Sequence, residues 1–423
     1  MSRFKSLRWV PALAVLVLIS AACEQAPERE AAAPEAVEDP LGTIEIPAGA
    51  PIRIGVFQAL TGSSANLGVD QLRAVEIGVE DRGGELLGHP IELVEADGGC
   101  RAGPAETAAQ QLLAEPQLAG IVGTSCTDEA VAAMDDISEA GLTMISGSNT
   151  SPFVTQIPFG TEGPDHHPGY FRTAHNDIFQ GRAAATFALE ELGVTRAASI
   201  HDGDPYTSGL AGAFDDSFEE LGGEIVLATS VSKDVQDARP VLTEVAAAEA
   251  EVVFFPIFEP AGNVIAQQAP EVSGLEDVIL FGADGLLTET FITTPESTGM
   301  FFSGPATPED PRYGDLLEKY EAAYGEEPIG AFHAHAFDAF NILMDSMEQV
   351  AVEQPDGTLV VPKQALRDAV EATSGHEGLT GSLSCDEFGD CAATRLVVVE
   401  KTPDTDALEA VRANVLFEFT PEE

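Results

Sequence analysis

From residue 52 onward, short apolar runs alternate with longer stretches in which apolar positions recur every three or four residues. The short runs predict buried strands and the longer stretches predict amphipathic helices. The predicted strands are Ile52–Phe57, Ile91–Ala96, Ala119–Val122, Leu142–Ser146, Ala197–His201, Glu224–Val231, Val252–Phe258 and Val278–Gly282. The predicted helices are Gln71–Glu80, Ala105–Ala114, Glu129–Ala140, Ile178–Leu192, Gly209–Leu221, Ala238–Ala248 and Ala261–Ala269. Two successive sets of alternating strands and helices predict an α/β protein with two doubly wound, Rossmann-like lobes.

The pattern after residue 300 is less regular. Phe301–Phe302 fits a strand, and Asp315–Tyr324, Ala336–Val350 and Lys363–Ala372 fit helices, while Thr380–Val399 is typical of a hairpin. Open α/β sheets bind ligands beyond the carboxyl ends of their strands. With two such sheets, the predicted binding place is the cleft between the lobes.

The N-terminus has the three parts of a secretory signal. A basic start, which includes Arg3 and Lys5, precedes the apolar run Trp9–Ile19 and a group of small residues before Cys23. The apolar run is too short for a membrane-spanning helix. The segment resembles the signals of bacterial lipoproteins, although Ser20 stands where a leucine is usual. This resemblance implies cleavage before Cys23 and attachment of a lipid to its sulfur.

These features predict the domain organisation. Residues 1–22 are the predicted lipoprotein signal peptide. Residues 23–50 are rich in Ala, Pro and Glu and predict a disordered linker, because such a stretch cannot bury enough apolar surface to offset its ordering entropy. Residues 51–174 and 305–379 are assigned to an N-terminal lobe, and residues 175–304 and 380–423 to a C-terminal lobe joined to it by a hinge.

The charge of the chain excludes some partners. There are 20 basic against 71 acidic residues, a formal net charge of −51. Nucleic acid is excluded as a partner because phosphate backbones require a basic surface. Docking on anionic lipid is disfavoured for the same reason, so contact with a membrane is expected only through the N-terminal lipid.

Four cysteines follow Cys23, and an even number in an exported protein indicates two disulfides. Four cysteines allow three pairings, and proximity in the sequence favours Cys100 with Cys126 and Cys385 with Cys391. A zinc site is the competing interpretation, but neither pair has the C-x-x-C spacing of a zinc site. We therefore expect no bound metal, and no sequence feature implies a cofactor.

The order of several short motifs resembles the type I periplasmic binding proteins, in particular the leucine/isoleucine/valine (branched-chain amino acid) binding family of ABC importers. The motifs are Ile54-Gly55-Val56, Leu60-Thr61-Gly62, Asp97 to Cys100, Val122-Gly123 with Cys126, Met144-Ile145-Ser146, Phe171-Arg172-Thr173, Ile200-His201-Asp202 with Tyr206, and Gly378-Leu379-Thr380-Gly381. The resemblance covers nearly the whole body of the chain. It implies the two-lobed fold of that family and a ligand bound in the cleft between the lobes.

The resemblance also implies which residues hold the carboxylate of an amino acid. Thr127 stands directly after Cys126 at the start of a predicted helix, where free N–H groups and the helix dipole suit an anion. Thr127 or Asp128 is equally suited to be only the helix N-cap. The resemblance assigns to Ser148 a main-chain carbonyl for the ligand, and to Thr150 a hydroxyl and an N–H. An ordinary Ser/Thr turn is the alternative for this pair.

On the second lobe, Asp284 follows a predicted strand, where the family carries an acidic residue that pairs with the ligand ammonium. A turn or cap aspartate before glycine is the alternative. The resemblance implies that Tyr206 and Phe258 are aromatic walls and that Leu67 is the apolar wall of the first lobe, at a position where the family usually has an aromatic residue. The neighbouring Glu259 either faces the cavity, where it would select a polar or basic side chain, or is solvated.

The sequence thus predicts a lipid-anchored substrate-binding protein in the periplasm or cell envelope. Its expected partners are a small-molecule amino acid, branched-chain or similar, and the permease subunits of an ABC importer. A ligand-sensing receptor subunit is one alternative, and a binder of a related small amide or carboxylate is another. No nucleophile motif accompanies His201 and Asp202. We therefore expect no catalytic residues.

Overall fold

Apolar strands that are buried on both faces form the centre of each sheet, as expected for parallel strands covered by helices. The computed structural model describes residues 37–158 and 160–421, so the predicted signal peptide and Cys23 lie outside the described residues. The strands are β1 (Thr43–Ile46), β2 (Ile52–Gln58), β3 (Glu85–Leu86), β4 (His89–Asp97), β5 (Leu118–Gly123), β6 (Met144–Ser146), β7 (Gln156–Ile157), β8 (Thr161–Glu162), β9 (Tyr170–Arg172), β10 (Arg196–His201), β11 (Glu224–Ser230), β12 (Val252–Phe254), β13 (Ile279–Ala283), β14 (Phe301–Pro305), β15 (Val352–Glu353), β16 (Leu359–Pro362), β17 (His376–Glu377), β18 (Ser382–Leu383), β19 (Leu396–Glu400) and β20 (Val415–Phe419).

Helices pack on both sheets and on one another. They are α1 (Ala65–Asp81), α2 (Ala102–Leu113), α3 (Thr127–Glu139), α4 (Asp177–Thr186), α5 (Pro205–Glu220), α6 (Arg239–Ala247), α7 (Ala261–Gln268), α8 (Glu289–Ile292), α9 (Pro311–Tyr324), α10 (His333–Val350), α11 (Lys363–Glu371) and α12 (Leu408–Arg412). A π-helical turn, Phe187–Glu191, continues α4. Short 3-10 turns occupy Pro152–Val154, Ala269–Glu271, Asp284–Leu286 and Pro295–Ser297. No helix in residues 37–158 and 160–421 combines the length and apolar character that a membrane span needs.

Each lobe contains one large sheet within the described residues. The first has the order β3-β4-β2-β5-β6-β9, and its strands are parallel except for β3. The second has the order β11-β10-β12-β13-β14-β19-β20 and is parallel up to β14, after which β19 and β20 run antiparallel. The predicted α/β architecture with two lobes is confirmed.

The chain passes between the two sheets at three places. It leaves the first sheet after β9, leaves the second after β14, and returns to the second before β19. Between the last two passages, α9 packs on α1 of the first lobe through Ile77, Tyr313 and Tyr320. Helix α10 packs there too, since its Phe340 and Leu343 belong to the same core as Ile54 of β2.

The predicted disorder of the linker, residues 23–50, is wrong for residues 37–50, the part of the linker that the structure describes. Ile44 and Ile46 are buried and alternate with Thr43 and Glu45, so this segment forms β1, which pairs with β16. The Asp39 carboxylate accepts hydrogen bonds from the first N–H groups of α11. The segment was too short and too polar for its period-two pattern to stand out in the sequence.

The predicted hairpin over Thr380–Val399 is also wrong. Strand β18 pairs with β17, whereas β19 pairs with β14 and β20 of the second sheet. Leu383 and Cys391 are buried in the first-lobe core. Residues 382–391 therefore belong with the first lobe, and the predicted start of the C-terminal lobe at residue 380 is too early.

Both predicted disulfides are present. Cys100 is bonded to Cys126, and Cys385 is bonded to Cys391. The first bond joins the loop after β4 to the residue before α3. It therefore anchors the start of α3, which faces the cleft.

Candidate functional site

A narrow cavity lies between the two lobes, where several strands of both sheets end. Its volume is about 20 Å³, so the lobes must separate to admit a larger ligand. Six of the seven predicted ligand-binding residues line it, and Thr150 does not. The lining residues are Ser63, Ser64, Asn66, Leu67, Ser125, Cys126, Thr127, Ser148, Tyr206, Phe258, Glu259, Asp284, Gly285, Leu287, Thr288, Gly330, Ala331 and Phe332.

Thr127 begins helix α3 on the first-lobe side of the cavity. Its side chain is only 1% exposed, and its hydroxyl has no hydrogen-bond partner in the described part of the chain. The Glu129 carboxylate accepts the N–H groups of Ser125 and Cys126 just before the helix. The first amides of α3 itself have no partner within the helix. The hydroxyl and these amides together form a set of donors suited to a carboxylate.

Ser148 lies beside Thr127 on the wall of the cavity, and its hydroxyl proton is already used. It donates to the Ser125 carbonyl at 2.7 Å and accepts from Gln71 Nε2 at 2.9 Å. Among the described residues, no backbone or side-chain donor reaches the Ser148 carbonyl. The Ser148 carbonyl, which the resemblance assigns to the ligand, is therefore open to a donor, whereas the hydroxyl has no proton left to donate.

Thr150 lies behind the cavity. Its carbonyl accepts a hydrogen bond from the Asp177 N–H at 2.9 Å, which ties the Thr150 loop to the start of α4. The predicted direct contact of Thr150 with the ligand therefore has no support in the residues that line the cavity.

Asp284 faces the cavity from the second lobe, directly after β13. Its side chain is 8% exposed, and Oδ1 accepts from Gln180 Nε2 at 2.5 Å and from the Tyr206 hydroxyl at 3.2 Å. Burial raises the pKa of Asp284 to about 6, although both hydrogen bonds act against this shift. Asp284 forms no ion pair among the described residues. A carboxylate at this position therefore lacks a cation, which a ligand ammonium would supply.

A second acid, Asp177, is buried near Asp284. Its pKa is raised well above the ordinary value, first by burial and second by the charge of Asp284. Repulsion between two buried carboxylates favours a single charge on the pair, and the titration belongs to both groups. This pair could not be predicted from the sequence, because 107 positions of chain separate two residues that the packing of α4 on the second sheet brings together.

Gln180 connects Asp284 to the hinge. Because a carboxylate only accepts hydrogen bonds, Gln180 presents its amide nitrogen to Asp284 and its carbonyl to His175. His175 therefore carries its proton on Nε2. Burial lowers the pKa of His175 to about 4, so its ring is neutral near pH 7.

Aromatic rings form the walls of the cavity. The ring centroids of Tyr206 and Phe258 lie 4.9 Å apart on the second lobe. On the first lobe, Leu67 packs with Ala331 and Phe332. Phe332 supplies an aromatic wall that the sequence analysis missed, because it precedes α10 and carries no local motif.

Lys233 bridges the two lobes at the mouth of the cleft. Its Nζ lies 2.9 Å from the Asp128 carboxylate of the first lobe and 2.8 Å from the Asp204 carboxylate of the second. Burial lowers the pKa of Lys233, but the two carboxylates outweigh burial and raise it. The carboxylate of Asp128 therefore points across the cleft and is neutralised, which leaves the start of α3 open to an anion.

We expect Lys233→Met to weaken ligand binding by roughly three- to tenfold through faster release, because the closed arrangement loses an ion pair between the lobes. Stopped-flow measurement of the release rate checks this. Arg101→Met is the matched control, since Arg101 pairs with Asp234 across the same cleft but both side chains are more than half exposed. An equal change in both variants would contradict a specific role of Lys233.

The chain is similar to known solute-binding proteins over most of its length. The family model described as "Periplasmic binding protein" matches residues 51–391. An amino acid binding protein of Pseudomonas aeruginosa is 30% identical over 288 residues, which are 66% of this chain and 74% of that protein. Leu/Ile/Val-binding protein homolog 3 of Brucella melitensis is 27% identical over 81% of this chain and 89% of its own length.

Solved structures show the same fold. A leucine-binding protein from Thermotoga maritima superposes with a TM-score of 0.74 at 23% identity, covering 88% of this chain and 99% of its own. A solute-binding protein of an ABC transporter from R. palustris, solved in complex with benzoate, has a TM-score of 0.70 at 20% identity over 84% and 94% of the two chains.

Proposed function

The chain belongs to the periplasmic binding protein family, and from this premise we propose that it delivers an α-amino acid to the permease of an ABC importer. Members of this family bind solutes and are not enzymes. The relatives named for amino acids support this ligand class. Attachment through a lipid on Cys23 stays a prediction from the sequence.

The observation that carries the proposal is that the two sides of one cavity suit groups of opposite charge: the first lobe offers hydrogen-bond donors for an anion, and the second lobe offers an acid for a cation. On the first lobe, the Thr127 hydroxyl is buried without a partner among the described residues, at the start of α3, where the first amides have no partner within a helix. On the second lobe, Asp284 is a buried acid without a cation. An α-amino acid satisfies both groups at once, since its carboxylate accepts from the first and its ammonium pairs with the second.

The same geometry disfavours a carboxylate without an amine. Such a ligand, for example benzoate, would occupy the donors of the first lobe and leave Asp284 uncompensated. No lysine, arginine or histidine is among the described residues that line the cavity. A second anion would therefore raise the electrostatic energy of the site.

Hinge closure follows from the distribution of contacts. A ligand held by Thr127 of one lobe and Asp284 of the other gains its full set of contacts only when the lobes approach each other. The three segments that connect the lobes lie close together at one side of the cleft, which is the arrangement of a hinge.

Calorimetry with matched ligands tests the proposal. An α-amino acid, its amide without a carboxylate and its deamino acid without an ammonium are titrated into the purified full chain. We expect the amino acid to bind and each truncated ligand to bind at least tenfold more weakly. Tight binding of benzoates with no binding of any amino acid would overturn the proposal.

Amino-acid binding should also weaken in acid. A proton on Asp284 competes with the ligand ammonium, so affinity is fully present above the pKa of about 6 and is lost as the pH falls through it. The loss between pH 7 and pH 5 should be about tenfold. His175 stays neutral over this range, because its pKa is lowered to about 4. Calorimetry at several pH values checks this expectation, and a constant affinity down to pH 5 would contradict it.

A further inference from the structure

Glu259 places a second carboxylate on the wall of the cavity. It follows Phe258 on the second lobe and is partly buried. Oε1 accepts from Asn263 Nδ2 at 3.1 Å, and Oε2 accepts from the hydroxyls of Thr288 at 3.0 Å and Thr290 at 2.6 Å. Thr288 is the donor in this contact because a carboxylate only accepts, and its oxygen also accepts the Phe291 N–H. Three donors therefore hold the carboxylate in one orientation.

These three bonds do not exhaust the acceptor capacity of Glu259. A carboxylate has about four acceptor positions, and three of them are used. Glu259 forms no ion pair with a cation in residues 37–158 and 160–421. The group that completes its coordination therefore has to come from solvent or from a ligand in the cavity.

The charge of the cavity favours a cation at this place. Among the described residues that line the cavity, Asp284 and Glu259 are acids, and none is a base. An amino acid with an apolar side chain is a zwitterion without net charge. It would compensate Asp284 and would leave Glu259 facing an apolar group, which costs free energy because the carboxylate loses water without gaining a partner.

The cavity also continues past Glu259. A neighbouring cavity at the mouth of the cleft shares Ser63, Ser64, Phe258 and Glu259 with the first, so a ligand can extend from one into the other. The cations of this outer cavity are already paired, Lys233 with Asp128 and Asp204 and Arg101 with Asp234. They therefore do not neutralise Glu259.

We propose that the natural ligand is an α-amino acid whose side chain ends in a protonated nitrogen, and that Glu259 is the residue that selects it. This inference rests on the proposed function. The ligand's own carboxylate and ammonium bind as described above, and its side chain runs between Leu67 and Phe258. The terminal nitrogen then donates to the acceptor position of Glu259 that remains free.

Two pairs of ligands test the inference on the full chain. L-lysine is compared with L-norleucine, and L-ornithine with L-norvaline, because each pair differs in the terminal nitrogen. By calorimetry, the cationic member should bind at least tenfold more tightly. Glu259→Gln should remove most of this difference and leave norleucine within about threefold of its original affinity, since a charge-assisted contact is worth about one order of magnitude or more.

Glu244→Gln is the matched control. Glu244 lies on α6 of the same lobe, is exposed, and is not part of either cavity, so this variant should keep both affinities. If norleucine binds and lysine binds no more tightly, the inference is overturned and the amino-acid function stands. Equal weakening of both ligands in Glu259→Gln would make Glu259 structural and would also overturn it. If none of the four amino acids binds, the inference is overturned, and the proposed function fails only if no other α-amino acid binds either.

Discussion

Asp284→Asn is expected to weaken the binding of an α-amino acid by at least tenfold, while the empty protein keeps or gains stability. The amide has nearly the shape of the carboxylate but cannot form a charge-assisted contact with the ligand ammonium. In the empty protein, burial opposes the charge on Asp284, as the raised pKa shows. Removing that charge therefore does not lower the free energy of unfolding. Calorimetry and urea unfolding measure the two effects separately.

Asp277→Asn is the matched control for this prediction. Asp277 precedes β13, the same strand that Asp284 follows, and its side chain is exposed. It should change neither the affinity nor the free energy of unfolding by a measurable amount. Unchanged affinity in Asp284→Asn would remove this residue from the site, and a large loss of stability would make its role structural.

Arg172→Met is expected to lower the free energy of unfolding by about 3–5 kcal/mol, because it leaves a carboxylate without its cation and two carbonyls without their donor. Arg172 is fully buried, and its guanidinium pairs with Asp390. It also donates to the carbonyls of Asn149 at 3.1 Å and Ser151 at 2.7 Å. Arg172 thus connects two segments: the loop that contains Ser148, and the segment that the disulfide between Cys385 and Cys391 closes. Urea unfolding measures the change.

Two further variants separate the contribution of the buried pair. Arg182→Met removes a partner of the exposed Glu220 and should cost less than about 1 kcal/mol. Adding Asp390→Leu to Arg172→Met should recover part of the lost stability, since no unpaired carboxylate then remains. A loss below 1 kcal/mol in Arg172→Met alone would refute the structural role.

The periodicity of apolar residues was sufficient to predict the main strands and helices of both lobes, because it follows the local burial of each segment. Strands such as β2 and β5 are continuous apolar runs that are buried on both faces, and the helices between them repeat with the helical period. A strand as short as β1 has only two apolar positions and was missed. The hairpin assigned to Thr380–Val399 failed because β18 and β19 each found a partner elsewhere in the chain.

The sequence by itself determined the α/β alternation, the place of Thr127 at the start of a helix and that of Asp284 after a strand, and it favoured the two disulfide pairs that the structure contains. Only the tertiary structure decided that Thr150 lies behind the cavity, that Asp128 turns to Lys233, and that Asp177 lies near Asp284. The physical reason is the distance in sequence over which each feature is determined. Helix and strand patterns depend on neighbours a few residues apart, and strand ends share one edge of a sheet whatever their distance in sequence. The direction of each side chain depends on packing between segments that the sequence separates.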